Sequence, residues 1–252
     1  MSQNKTATFR FYEELNDFLP RGRRKVDFEY PFIGSPKIKE VIEHLGIPHS
    51  EVDLIIVNGN SKGFDYSLQD QDRVAVYPIF EALDISPINH LRPEPLREPK
   101  FILDVHLGRL AKYLRICGFD CLYELLDDDA IIELALKEQR IILTKDKGLL
   151  KNKQVTHGYW VRNKEPRLQL LEIIQRFHLQ NKIQFLVRCL LCNSLLSKIN
   201  KQAVAGRVPT QTTAYYQDFY ECLRCNKIYW EGSHYQNMTQ LIDFILQSQK
   251  LK

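Results

Sequence analysis

No run of eighteen apolar residues occurs anywhere in this 252-residue sequence, so no transmembrane helix is expected. The opening stretch MSQNKTATFR has no apolar core of signal-peptide length. Secretion is therefore not expected, and a cytoplasmic location is. There is no internal repeat and no low-complexity tract, which sets aside solenoids and disordered tails. Cysteine is scarce as well: six residues are too few for a disulfide scaffold. What remains, 44% hydrophobic and 26% charged residues, is the composition of a soluble globular protein of one large domain or a few small ones.

Charge is unevenly spread. Residues 1–98 carry 12 basic against 16 acidic side chains, whereas residues 151–252 carry 15 basic against 6 acidic. A basic surplus confined to one end, beside an acidic cluster, points to a polyanion as partner. The boundary lies at 81–99, where Pro87, Pro93, Pro95 and Pro99 interrupt any helical or strand period. That segment reads as an extended linker.

Before the linker, residues 1–80 alternate as strands in TATFRFY and RRKVDFEY. SPKIKEVIEHLG follows as a short helix, with Ser35 as cap, Pro36 in the first turn, and Ile38, Val41, Ile42 and Leu45 on one face. VDLIIVNG and DRVAVYPIF complete the strands. Strand-strand-helix-strand-strand in so short a span is an α+β roll, and it resembles the ubiquitin-like β-grasp fold, particularly its sulfur-carrier branch. Those carriers act through a C-terminal Gly-Gly tail. Here Pro78 is followed by Ile79, Phe80 and Glu81, so docking of a protein partner is expected rather than sulfur carriage.

After the linker the pattern becomes α/β. KFILD and RIILTKD are apolar strands, with GRLAKYLRICG and DDDAIIELALKEQ as helices between and around them. Such alternation implies a parallel sheet, here spanning residues 100–182. A last segment, 183–252, contains Cys189-Leu-Leu-Cys192 and Cys222-Leu-Arg-Cys225. Two thiolate pairs on tight knuckles supply four sulfurs for a closed tetrahedral zinc site, and a closed site is structural. The intervening TTAYYQDFYE reads as strand, which suits a zinc ribbon. Cys117 and Cys121 read as core packing.

Open parallel sheets collect function at the carboxyl ends of their strands. Asp104 ends KFILD, Asp146 ends RIILTKD, and Asp127, Asp128 and Asp129 open the intervening helix. Clustered carboxylates repel unless a cation lies among them, and hard oxygen donors select magnesium or manganese. Arg109, Arg115 and Lys145 supply a basic rim for the phosphates of a substrate, with Arg109 and Arg115 taken to share a helix face.

The motifs FILDVHLGRLAKYLRICGFD, DDDAIIELAL, RIILTKDKGLL, RCLLCN, RVP and CLRCNKIYWEGSH, in that order, resemble the Mut-seven C-terminal family of PIN-like ribonucleases. Members of that family often carry a zinc ribbon after the nuclease fold, and some carry a ubiquitin-like domain before it. The resemblance covers residues 100–235. It implies a nuclease fold, with the family's acidic positions falling on Asp104, Asp128 and Asp146; together with the carboxylate cluster, metal-dependent hydrolysis of RNA is the expectation. Asp120 matches a further acidic position, either in the metal site or in the framework. The rival expectation is a binding module that holds RNA or a ribosomal partner without chemistry. The three acids favour the enzyme, since binding a polyanion needs no carboxylates beside it.

Overall fold

The structure, a computed structural model, describes residues 4–78, 91 and 99–247. The linker expected at 81–99 lies outside the described residues except at Leu91 and Pro99. The chain divides into two compact units, Met1–Glu98 with Asp128–Trp160, and Pro99–Asp127 with Val161–Lys252.

In the first 78 residues the strands are β1 (Lys5–Phe11), β2 (Phe28–Phe32), β3 (Val52–Val57), β4 (Asn60–Ser61) and β5 (Arg73–Pro78), with helix α1 (Ile38–His44) between β2 and β3. They form one mixed sheet of order β2-β1-β5-β3-β4. β1 runs parallel to β5 and antiparallel to β2, and β3 runs antiparallel to β5. This is the ubiquitin-like β-grasp arrangement. Its core follows from the alternation of β1: Ala7, Phe9 and Phe11 point inward onto Ile38, Val41 and Ile42 of α1. Two details differ from expectation. β2 begins at Phe28 rather than in the basic run, because Arg21–Arg23 forms a 3₁₀ turn. It also contains Pro31, tolerated because β2 is an edge strand. The helix starts at Ile38, and its N-terminus is closed by Glu40, whose carboxylate accepts from Lys37 N at 3.3 Å, so Ser35 is not the cap.

Beyond residue 99 the elements are β6 (Lys100–Leu103), α2 (Gly108–Ile116), β7 (Cys121–Leu122), α3 (Asp128–Glu138), β8 (Arg140–Thr144), α4 (Lys147–Leu150), β9 (Gly158–Trp160), α5 (Pro166–Arg176), β10 (Leu196–Ile199), α6 (Thr210–Tyr215), β11 (Phe219–Cys222), β12 (Ile228–Trp230) and α7 (Ser233–Gln247). This C-terminal region carries the parallel sheet: β6 pairs in parallel with β7 in one unit, and β8 with β9 in the other. All five residues of β8 are buried, as a strand covered on both faces requires. α2 is stopped by Gly118, two residues past its last helical residue, whose φ of +89° is the left-handed stop. A Cβ there would collide with the Gln184 carbonyl, so the turn is fixed twice over.

The ribbon is the antiparallel sheet β10-β11-β12, with a small core of Val204, Phe219 and Ile228. Within the segment expected as strand, TTAYYQDFYE, only the last three residues pair as one, in the strand Phe219–Cys222. Thr210–Tyr215 is a short helix instead, begun after the extended Pro209 and steadied by a hydrogen bond from the Thr213 hydroxyl to the Thr210 carbonyl.

In the first unit, the ubiquitin-like sheet packs with residues 128–160. His49 Nε2 lies 2.9 Å from the Val155 carbonyl, Ser50 Oγ donates to the Leu150 carbonyl at 3.1 Å, and Glu51 accepts from Trp160 N at 2.6 Å. His49, Ser50 and Glu51 are all buried.

Candidate active site and metal centre

The four cysteines converge. Their sulfurs all lie within 4.8 Å of one another, with Cys189 to Cys225 at 3.5 Å and Cys192 to Cys222 at 3.3 Å. A tetrahedral zinc with bonds of about 2.3 Å spaces its sulfurs about 3.8 Å apart, so the cluster has the size and donor chemistry to hold a metal such as zinc. Burial pushes the Cys192 thiol up, but hydrogen bonds with Ser194 and the neighbouring cysteines outweigh it and bring it down to about 6. Burial and contact with the other three thiols push Cys225 up to about 12. Four sulfurs this close cannot all ionise on their own; a divalent cation removes that conflict. Tyr229 belongs to the same centre: its hydroxyl lies 3.1 Å from Cys189 Sγ and accepts from Leu190 N at 3.1 Å.

The first knuckle is locked onto the strand β7 and helix α2 beside it. Arg115 is only 4% exposed. Its Nε donates to the Cys121 carbonyl at 2.9 Å, and its Nη1 donates to the Leu190 and Leu191 carbonyls at 3.0 and 2.9 Å. Asn193, at a φ of +65°, accepts from Cys121 N at 3.0 Å and donates to Asp120 at 2.8 Å. Arg188 pairs with the other Asp120 oxygen at 3.2 Å.

This corrects the expectation for Arg115. Its donors serve backbone carbonyls in the interior, so it is not a phosphate contact. Arg109 and Arg115 are six residues apart, which at 100° per residue places them roughly 120° apart around the helix. Arg115 therefore falls next to the buried Ala111, while Arg109 is exposed. Asp120 likewise has partners in the framework. Cys117 and Cys121 are fully buried, and burial pushes the Cys117 thiol up to about 12.

The acids are placed as follows. Asp104 directly follows β6 and is 6% exposed. Its Oδ1 accepts from His106 N at 2.8 Å and caps the 3₁₀ turn that leads into α2. Asp146 follows β8 after one residue and is exposed; its Oδ1 accepts from Gly148 N at 2.6 Å. Asp128 is exposed in the first turn of α3, beside Asp129. Asp104 belongs to one compact unit, Asp128 and Asp146 to the other. Among the described residues, the cysteines are the one group of three or more potential metal ligands drawn within such close range. Lys145 is half-buried, and its carbonyl accepts from the Trp160 indole at 3.2 Å.

Sequence reasoning passed over two residues. Asn193 is signalled only by standing directly after a C-x-x-C pair. Lys147 is signalled only by following Asp146; its ammonium lies 3.8 Å from the Trp160 ring centroid and 4.9 Å from that of Phe18.

A ubiquitin-like mixed sheet, parallel strands followed by acids, and a four-cysteine ribbon make this a modular protein with an α/β region before its ribbon. The sequence matches the Mut7-C RNAse domain over residues 99–242 and the Mut7-C ubiquitin domain over residues 4–84. The first match spans more than half of the chain: the protein belongs to the Mut7-C RNAse domain family, and the membership points to a nuclease-like function. No curated protein and no solved structure matches it.

Proposed function

We propose that the protein is a ribonuclease that hydrolyses RNA phosphodiester bonds with magnesium or manganese held by Asp104, Asp128 and Asp146. The observation that carries this reading is the match to an RNAse domain over residues 99–242, which includes all three acids. Carboxylate oxygens are the hard donors these cations prefer. Once bound, the cation supplies charge stabilisation at phosphorus and a water of lowered pKa.

The chain's own residues do the rest. Asp104, capped on His106 N and held at the end of a buried strand, is a rigid ligand whose Oδ1 bond to the backbone fixes its rotamer. Asp146 is oriented in the same manner by Gly148 N. Asp128, in the first turn of a helix and exposed to solvent, completes the acidic set or orients water. Arg109 and Lys145 neutralise flanking phosphates. Zinc on Cys189, Cys192, Cys222 and Cys225 is structural, because four thiolates leave no position open. The basic surplus of residues 151–252 holds the RNA, and the ubiquitin-like domain offers a surface for a protein partner. In sequence the parts run 1–80, linker 81–99, nuclease 100–182 and ribbon 183–252.

Asp104→Asn tests this. It keeps size and hydrogen bonding and removes one charge, so cleavage should fall by orders of magnitude while RNA affinity holds or rises. Equal cleavage by both proteins refutes the assignment. Binding by both with cleavage by neither leaves a module that holds RNA without chemistry.

A further inference from the structure

Lys147 and Phe18 carry an inference that rests on the ribonuclease reading and extends it. Lys147 opens α4, one residue after Asp146. Its ammonium sits over the faces of two aromatic rings, Trp160 at 3.8 Å and Phe18 at 4.9 Å, and those rings lie 5.3 Å apart at 45°. Trp160 is itself pinned at both ends: its backbone N–H donates to the buried Glu51 carboxylate at 2.6 Å, and its indole N–H donates to the Lys145 carbonyl at 3.2 Å. Phe18 ends a 3₁₀ turn, Glu13–Phe18, anchored by the buried Leu15. The rings are thus rigid, and the ammonium is set by their faces rather than left to its flexible stem.

Two of the residues that build this seat, Phe18 and Glu51, belong to the ubiquitin-like segment. The other three, Lys145, Lys147 and Trp160, belong to the RNAse match. Asp146 is exposed and Lys147 half-exposed, so a cation held in place adjoins a carboxylate that the reading gives to the metal. A polyanion approaching carboxylates needs such a cation, and one already positioned loses less freedom on binding.

We propose that Lys147 binds a substrate phosphate at the Asp146 end of the site, and that Phe18 of the ubiquitin-like segment is its positioning residue. The ubiquitin-like domain then serves the nuclease directly, as one wall of the seat for a substrate-binding cation.

The test is binding of a fluorescein-labelled oligouridine RNA by the full chain across a salt series, with every protein carrying Asp104→Asn so that no cleavage intervenes. Lys147→Met keeps the stem against the rings and removes the charge. It should weaken binding roughly threefold to tenfold at low salt and reduce the salt slope by about one phosphate contact. Phe18→Leu keeps apolar bulk and the lysine; it should weaken binding by a smaller factor and leave the salt slope unchanged. Thermal melts confirm that both variants are folded at the assay temperature, and Lys147→Gln replaces Lys147→Met if the latter is not. If Lys147→Met binds with the parent's affinity and slope, Lys147 only staples the two segments and the proposal falls. If Lys147→Met acts as expected but Phe18→Leu binds as the parent does, the positioning role of Phe18 falls. If the parent itself binds no RNA, the ribonuclease reading fails, and this inference with it.

Discussion

Replacing Arg115 separates a framework role from a substrate role more sharply than any other surface or core change. Arg115→Met retains much of the aliphatic volume but removes a guanidinium that three carbonyls share, those of Cys121, Leu190 and Leu191. A hydrogen bond from a charged donor contributes about 1.5–3 kcal/mol, and a buried acceptor left without a partner costs about 1–3 kcal/mol. The three bonds are not additive, and breaking a buried hydrogen-bond network of this kind should cost about 3 kcal/mol in all. At about 4 °C per kcal/mol for a unit of this size, the melting temperature should drop by roughly 10 °C. Leu190 and Leu191 sit between Cys189 and Cys192 in the first knuckle, so zinc should also leave the variant faster on exposure to a chelator. Arg109→Ala, at an exposed position, should stay within about 0.5 kcal/mol of wild type and lower the salt slope of RNA binding. Circular dichroism melts and a chromogenic zinc-release assay read both effects. If Arg115→Met melts and holds zinc like wild type while its salt slope falls, the guanidinium contacts phosphate after all and the framework argument is wrong.

The cysteines make two further predictions. Cys117 and Cys121, fully buried, should resist alkylation in the folded protein, while the four ribbon cysteines should become reactive together once a chelator has removed zinc; mass spectrometry of modified peptides counts them. Labelling of the ribbon cysteines at the same rate with and without chelator would contradict metal binding there. Cys117 should also tie stability to high pH. Its folded thiol is raised to about 12 from 9.0, so above pH 9 the unfolded chain loses a proton that the folded chain keeps, and stability should fall as pH rises from 9 toward 12. Cys117→Ala should flatten that part of the urea midpoint–pH profile, and an unchanged profile would refute the assignment.

Much of the fold was legible because the signals were local. The alternation of Ala7, Phe9 and Phe11 marked an inward strand face, and the helical spacing of Ile38, Val41 and Ile42 marked its cover. The doubled C-x-x-C spacing marked a site that the sulfur positions fit. What escaped depends on partners distant in sequence. The carbonyls that draw Arg115 inward lie 75 and 76 residues away, so a count of basic residues on α2 had no access to them. The packing of His49, Ser50 and Glu51 on residues 150–160 spans about a hundred positions, and chain order gave no sign of it. Thr210–Tyr215 misled for the opposite reason: β-branched and aromatic residues suggest strand, but a short helical turn after Pro209 has little need of propensity.

The central claim, hydrolysis of RNA by a divalent cation on the three aspartates, is met most directly by one time course. Zinc-loaded protein is freed of other divalent cations and mixed with labelled single-stranded RNA, and manganese is then added or withheld. The account predicts cleavage that appears with manganese and is lost again in Asp146→Asn under the same conditions. Intact RNA in both arms, with the RNA demonstrably bound, would contradict it.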